Sequence, residues 1–124
     1  MPKPLIIDCD PGVDAAIALL LTLASPTDLN LLGITTVAGN VPLDLTYTNA
    51  RRICHLAGKP NTPIFPGCPR PLIRPLATAQ DVHGKTGLHG LDIALDTDTK
   101  QDSNPQHAIQ FLISTLLNAP SPIT

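Results

Sequence analysis

The stretch "LIIDCDPGVDAAIALLL", residues 5–21, decides the fold. Its first apolar run predicts a short buried strand over residues 4–9. The alanine- and leucine-rich run that follows predicts a helix over residues 14–24, which a Ser-Pro pair ends. The turn between the strand and the helix holds three carboxylates, on Asp8, Asp10 and Asp14.

The same alternation continues along the chain. Residues 29–38 form a nearly continuous apolar run, which predicts a second buried strand. Apolar residues at steps of three and four predict a helix over residues 43–57, stopped by Gly58, and residues 62–67 predict a third strand. Strands that alternate with helices through short connections indicate an α/β fold with a mostly parallel sheet and helices on both faces.

The last third of the chain is less regular. Residues 68–102 read as a long loop, and a third helix is expected to follow, with Asn104 as N-cap and Pro105 at the first helical position. One apolar stripe is predicted on this helix, formed by Ala108, Ile109, Leu112, Ile113, Leu116 and Leu117. The segment "NAPSPIT" then resembles the approach to a fourth strand, so we expect a truncated chain: residues 1–124 as the N-terminal part of one α/β domain.

Composition narrows the class of protein. The 124 residues are 43% hydrophobic and carry a formal net charge of −2, which gives no basic excess for a nucleic-acid partner. The short apolar run before Asp8 is too brief for a signal peptide or a membrane span, so a cytoplasmic location is expected. The three cysteines show no Cys-x-x-Cys spacing and are expected to be buried thiols.

The carboxylate turn has two readings. Ligands of open α/β sheets bind at the carboxyl ends of the strands, and three clustered carboxylates repel one another unless a hard cation such as Ca²⁺ or Mg²⁺ neutralises them. Alternatively, Asp10 and Asp14 only stabilise the start of the helix, because acidic groups are favourable there and Asp-Pro-Gly is an ordinary turn.

Several motifs together resemble one family. The segment "DCDPGVDAA" is similar to the Asp-x-Asp-x-x-x-Asp-Asp fingerprint of the calcium-dependent nucleoside hydrolases, the inosine-uridine preferring family. The similarity continues through "LLGITTVAGNVPLDLTYTNARRICHLAG", "TPIFPGCPRPL" and "HGKTGLHG". It implies a Rossmann-like core and hydrolysis of the N-glycosidic bond of purine or pyrimidine ribonucleosides, with Ca²⁺ as cofactor.

The resemblance also implies roles for individual residues. Asp10 matches the metal ligand that acts as general base for the attacking water, and Asp14 matches a residue that binds a ribose hydroxyl. Asp8 matches the first fingerprint aspartate and is expected to support the metal site from its edge. Asn40 matches an asparagine that reaches the ribose and the carboxylates, although a simple Gly-Asn turn is the alternative.

The segment "HGKTGLHG", residues 83–90, is a glycine-rich loop that holds a further candidate. His83 matches a histidine on the nucleobase side of the pocket, and His89 lies in the same loop. His55 and His107 fall on predicted helices and are expected to be ordinary surface or partly buried residues. Asn49 matches a helix position of the family where a structural role is at least as plausible as a binding one.

The chain departs from the family pattern in two respects. The fingerprint ends in two aspartates, whereas this chain has Asp14 followed by Ala15, and a methyl group supplies no oxygen to a cation that takes six to eight. Family elements beyond residue 124 have no counterpart here. We therefore expect weakened calcium binding and an activity that is weak or lost in this chain alone.

Two rivals remain open at the level of sequence. A haloacid dehalogenase-like phosphatase also carries Asp-x-Asp after its first strand, but it does not account for "VAGN" or "HGKTG". A nucleoside- or ribose-binding pseudoenzyme, which works with a partner chain, is the non-enzymatic alternative. An open sheet edge also makes a homo-oligomer an expectation.

Overall fold

A computed structural model describes residues 1–90 and 105–124. Within these ranges the elements follow in the order β1 (Lys3–Cys9), α1 (Val13–Leu23), β2 (Leu29–Thr36), α2 (Leu43–Leu56), β3 (Ile64–Pro66), α3 (Gln80–His83) and α4 (Ala108–Leu117). The strands form a parallel sheet in the order β1-β2-β3. The predicted α/β fold is confirmed, and the three strands and first two helices lie within two residues of their predicted ends.

The first face of the sheet packs against α1 and α2. Ile34 in the middle of β2 is fully buried, and a cluster of buried side chains surrounds it. Its other members are Ala16 and Leu19 of α1, Ala50, Ile53 and Cys54 of α2, and Leu88. This cluster joins the first two strand-to-helix units, so it fixes the turns at the carboxyl ends of both strands relative to each other.

The opposite face packs against α4. Gly33 precedes Ile34 and therefore faces the other side of the sheet, where a Cβ atom would lie 2.7 Å from the ring of Phe111. Phe111 also stacks on Phe65 of β3, with ring centroids 3.9 Å apart and planes 10° apart. Because glycine leaves room at position 33, α4 approaches the sheet closely and completes the predicted arrangement of helices on both faces.

The predicted start of α4 is wrong. The helix begins at Ala108 and not at Pro105, and His107 is its N-cap, with Nδ1 accepting a hydrogen bond of 3.2 Å from the backbone N–H of Ile109. Asn104, the predicted cap, lies outside the described residues. The imidazole satisfies one of the N–H groups that every helix start leaves without an intrahelical partner.

The predicted apolar stripe on α4 faces mostly solvent, and a different side of the helix packs against the sheet. Ala108 and Phe111 are the buried residues of this helix. Four of the six predicted stripe residues are at least half exposed: Ile109, Ile113, Leu116 and Leu117. The stacking of Phe111 on Phe65 sets the rotation of the helix and turns these four side chains toward solvent.

The outer edge of β1 carries two further backbone hydrogen bonds. Thr124 donates its N–H to the carbonyl of Pro4 at 3.0 Å and accepts the N–H of Ile6 at 2.9 Å. This pattern is that of a parallel ladder, with Thr124 beside Leu5. The predicted approach to a fourth strand is thus seen as a one-residue pairing with β1. No helix in the described part of the chain is long and apolar enough to cross a membrane.

Candidate functional site

The carboxyl ends of β1 and β2 bring the first candidate residues to one edge of the sheet. Asp8 is the last residue but one of β1 and pairs with Thr35 of β2. The buried Thr35 hydroxyl donates a hydrogen bond of 2.6 Å to Oδ1 of Asp8, whose side chain is otherwise exposed. The side chain of Asp8 is therefore held on the sheet face that carries Phe111, since residues opposite each other in register share a face.

Asp10 is held more firmly, from the turn that follows β2. The backbone N–H of Asn40 donates to Oδ2 of Asp10 at 2.8 Å, and the Asn40 side-chain amide donates to the Asp10 carbonyl at 2.9 Å. Gly39 makes this approach possible, because a Cβ atom there would overlap the Asp10 carboxylate. These contacts fix the carboxylate with its second oxygen, Oδ1, left without a hydrogen bond among the described residues.

Asp14 lies in the first turn of α1 and is exposed. Acidic groups in a first turn stabilise a helix through its dipole, so part of the capping interpretation holds for this residue. Asp10 does not fit that interpretation, since its carboxylate accepts from the turn after β2 and not from α1. The turn thus separates a fixed carboxylate from a solvent-facing one.

His83 packs onto the same turn from the glycine-rich loop. A Cβ atom on Gly12 would lie 2.6 Å from Nδ1 of His83 and 2.9 Å from the Asn40 side-chain amide nitrogen. The half-buried imidazole therefore covers Gly12 and lies close to Asn40, while His89 remains exposed. Of the two loop histidines, His83 is the one that meets the carboxylate turn.

Sequence reasoning missed several residues that build this site. Thr35, Gly12 and Gly39 were not singled out, and only the strand register or a three-dimensional contact reveals why each matters. For Asn49 the sequence leaves a structural and a binding role open. It is fully buried, and its side chain contacts both the carboxylate turn and the glycine-rich loop.

The described residues do not form a calcium site by themselves. They contain no group of three or more His, Cys, Asp or Glu side chains placed to hold a metal ion. Thr35 occupies one oxygen of Asp8 and Asn40 occupies one oxygen of Asp10, and Ala15 contributes no donor. A cation that takes six to eight oxygens would obtain only a minority of them here.

The cysteine between the two aspartates, Cys9, is expected to react slowly with thiol reagents. Burial raises the pKa of the Cys9 thiol to about 12, and the charges of Asp8 and Asp10 add to the effect. Burial also raises the pKa of Cys54. All three cysteines are free; Cys54 is buried as predicted, whereas Cys9 and Cys68 are only half-buried.

We expect iodoacetamide at pH 8 to modify Cys9 roughly a thousandfold more slowly in the folded chain than in urea, because the thiolate is the reacting form. Since the folded pKa is raised from 9.0, Cys9 contributes stability that is complete below pH 9.0 and is lost as the pH rises towards about 12. Peptide mapping of the alkylated chain measures the modification rate of Cys9. Equal modification rates in folded and unfolded chain would contradict it.

The model of the family described as inosine-uridine preferring nucleoside hydrolase matches residues 5–124. The chain is 38% identical to an inosine-uridine preferring nucleoside hydrolase of Leishmania major, over 95% of this chain and 37% of the relative. It is 42% identical to a pyrimidine-specific ribonucleoside hydrolase of Photobacterium profundum, over 100% of this chain and 39% of the relative.

A solved structure gives the same result. A plant nucleoside hydrolase superposes with a TM-score of 0.84 and 33% sequence identity, over 99% of this chain and 38% of the solved chain. The chain therefore spans somewhat more than a third of the length of the relatives that it matches.

Proposed function

Because the chain belongs to the inosine-uridine preferring nucleoside hydrolase family, we propose that its activity is hydrolysis of the N-glycosidic bond of purine or pyrimidine ribonucleosides, at a rate that Ala15 and the short chain lower. The observation that carries the proposal is the Asp10 carboxylate, which Asn40 holds at the carboxyl edge of the sheet while His83 covers the neighbouring Gly12. Such an edge is where open α/β sheets bind their ligands.

The reaction assigns each group a task. Asp10 is the general base: its carboxylate takes a proton from a water molecule whose oxygen bonds to C1′ of the ribose. The C1′–N bond breaks, and its electron pair leaves with the nucleobase, which takes up a proton from solvent. Asp10 then releases to solvent the proton that it accepted, which restores the carboxylate. The solvent-facing Asp14 and the side-chain oxygen of Asn40 bind ribose hydroxyls, and His83 lies on the nucleobase side. Free ribose and free base are the products.

Asp10 and Asp8 remain our proposed metal residues, with Ca²⁺ as the cation. When bound, the cation would make a water molecule more acidic. Asp10 supports this role with its unbonded Oδ1, whereas Asp8 offers one oxygen because Thr35 occupies the other. Calcium binding in the present chain is expected to be weak.

Ala15→Asp is expected to tighten Ca²⁺ binding at least tenfold, because it adds a carboxylate one residue after Asp14 at the position where the family fingerprint has its last aspartate. Isothermal titration calorimetry with CaCl₂ measures the change without any need for activity. Ala18→Asp, on α1 but one turn further along the helix, is the matched control and should leave the affinity unchanged. Tight binding by the unmodified chain, with no gain from Ala15→Asp, would remove position 15 from the ligand set.

A binding module that does not hydrolyse its ligand is the second candidate function. Ala15 and the lack of a metal-ligating cluster in the described residues favour it. The phosphatase alternative loses its support, since the family match covers the carboxylate turn and the segments that the phosphatase could not explain.

Incubation of the chain with inosine, uridine or p-nitrophenyl phosphate tests these alternatives together. Release of reducing ribose with equimolar free base supports nucleoside hydrolysis. Nucleoside binding by calorimetry without ribose release would support the binding module and overturn the proposed activity. Release of inorganic phosphate alone would support the phosphatase alternative.

The remaining proposals concern the setting of the protein. A ribonucleoside is the proposed partner, and we expect neither a nucleic acid nor a membrane to be one. A cytoplasmic location stays a prediction from the sequence, as does association with a second copy or a partner chain.

A further inference from the structure

One side-chain amide joins two segments that are far apart in the sequence. Asn49 lies on α2 and is 0% exposed. Its Nδ2 donates a hydrogen bond of 2.6 Å to the carbonyl of Thr86 and one of 3.2 Å to the carbonyl of Pro11. Pro11 follows Asp10 in the carboxylate turn, and Thr86 lies in the glycine-rich loop after α3. Asn49 is therefore bonded to both sides of the candidate site.

We call the two hydrogen bonds from Asn49 to the carbonyls of Pro11 and Thr86 the joint. An amide side chain can form both bonds, and a carboxylate cannot. Both partners of Asn49 are carbonyl oxygens, so the NH₂ group must face them and the orientation of the amide is fixed. The other atom, Oδ1, is buried without a hydrogen-bond partner among the described residues. An aspartate of the same shape would turn oxygen lone pairs toward both carbonyls.

Close packing on the loop side keeps the joint short. Gly87 follows Thr86 with φ +87°, a conformation that favours glycine. A Cβ atom there would lie 2.9 Å from Nδ2 of Asn49 and 3.3 Å from the Pro11 carbonyl. The next residue, Leu88, is buried in the core cluster, so the loop is also anchored directly after Gly87.

The position of the loop determines the position of His83. The loop is closed on itself, because Gly87 donates its N–H to the carbonyl of Gly84 at 3.2 Å and His89 donates to that of His83 at 3.1 Å. These bonds link His83 and His89 to the segment that contains Thr86. We therefore expect loss of the bond between Asn49 and the Thr86 carbonyl to shift the imidazole relative to Gly12 and Asn40, while the Ala79 N–H stays bonded to the Asn40 carbonyl at 2.9 Å.

We propose that Asn49 is a positioning residue, which sets the separation between the Asp10 carboxylate and the His83 imidazole by bonding the two segments that carry them. This inference rests on the proposed function, under which Asp10 serves the ribose side and His83 the nucleobase side of a ribonucleoside. Asn49 itself is buried, and its side chain bonds to the two segments that carry these groups.

Asn49→Asp and Gly87→Ala test the joint from its two sides. Asn118→Asp is the matched control, since the exposed Asn118 amide likewise donates to a carbonyl, that of Ser114 at 2.7 Å, on α4. The readouts are hydrogen exchange of the Gly87 and His89 amides, the imidazole NMR signals of His83, and kcat and KM for inosine and uridine.

We expect both joint variants to exchange the two loop amides at least tenfold faster, to shift the His83 signals, and to lower kcat/KM at least tenfold, while the amides of Ile34 and Ile53 stay protected. Asn118→Asp should change none of these. If Asn49→Asp does not fold, Gly87→Ala alone decides the question. Unchanged exchange or unchanged His83 signals would overturn the proposal, as would altered signals with unaltered kcat/KM. An unmodified chain without hydrolysis would refute the proposed function, while exchange and His83 signals still decide the joint.

Discussion

Asp10→Asn is expected to lower the kcat of ribonucleoside hydrolysis by about 10² or more, the range over which a general base contributes to a rate. An asparagine oxygen can still accept the Asn40 N–H that now bonds to Oδ2 of Asp10, so the turn keeps its shape. The amide cannot take a proton from water, however. The change therefore removes the base and one charged ligand of the proposed Ca²⁺ site, while the turn keeps its shape.

A reducing-sugar assay with inosine measures this effect, and thermal unfolding checks that the variant is folded. Asp28→Asn is the matched control: the same chemical change in an exposed residue next to the amino end of β2, where the Asp28 carbonyl accepts the N–H of Lys3. It should leave kcat within twofold. An Asp10→Asn variant with full activity would exclude Asp10 as the base.

Gly39→Ala is expected to cause the largest loss of stability, about 3 kcal/mol, because overpacking costs about 1–3 kcal/mol and a hydrogen bond to a charged group contributes about 1.5–3 kcal/mol. A Cβ atom at position 39 overlaps the Asp10 carboxylate, so either the turn after β2 or the carboxylate must move. Both movements break the bond from Asn40. Circular dichroism should record a fall in Tm of roughly 10 °C.

Gly58→Ala provides the comparison. Nothing lies within 4 Å of a Cβ atom there, but φ is +69°, so the substitution introduces backbone strain alone, about 1 kcal/mol. It should leave hydrolysis unchanged, whereas Gly39→Ala should reduce it together with stability. Equal losses of stability in the two variants would contradict the prediction that a Cβ atom at position 39 destabilises the fold by crowding the Asp10 carboxylate.

The sequence predicts the sheet well because each boundary has a local chemical cause. The change from an apolar run to an alanine- and leucine-rich one marks the turn between β1 and α1, and Gly58 adopts the left-handed conformation that ends α2. The parallel arrangement follows from the alternation of strands and helices. These signals act within a few residues.

The face of α4 could not be predicted for the opposite reason. The most apolar side of "AIQFLISTLL" carries Ile109, Ile113, Leu116 and Leu117, so periodicity selects a side that the structure leaves exposed. The stacking of Phe111 on Phe65, a residue far away in the sequence, determines which side of α4 packs against the sheet. His107 as N-cap was likewise hidden, because the Asn-Pro pair upstream offers an equally good local signal.

The candidate site shows the same difference between local sequence signals and contacts of distant residues. Asp10 and Asp14 are found by their spacing, and the motif around His83 by family resemblance. The contacts that hold them depend on the register of β2 against β1 and on the seating of the glycine-rich loop. The roles of Thr35, Gly39 and Asn49 therefore require the three-dimensional structure.

The exposed side of α4 governs how the protein behaves in concentrated solution. Ile109, Ile113, Leu116 and Leu117 form a continuous apolar ridge, since they recur at steps of three and four along the helix. A net charge of −2 on 124 residues provides little long-range repulsion to keep such ridges apart. We therefore expect this side of α4, remote from α1 and α2, to promote self-association at high sample concentration, and salts that strengthen apolar burial to increase it.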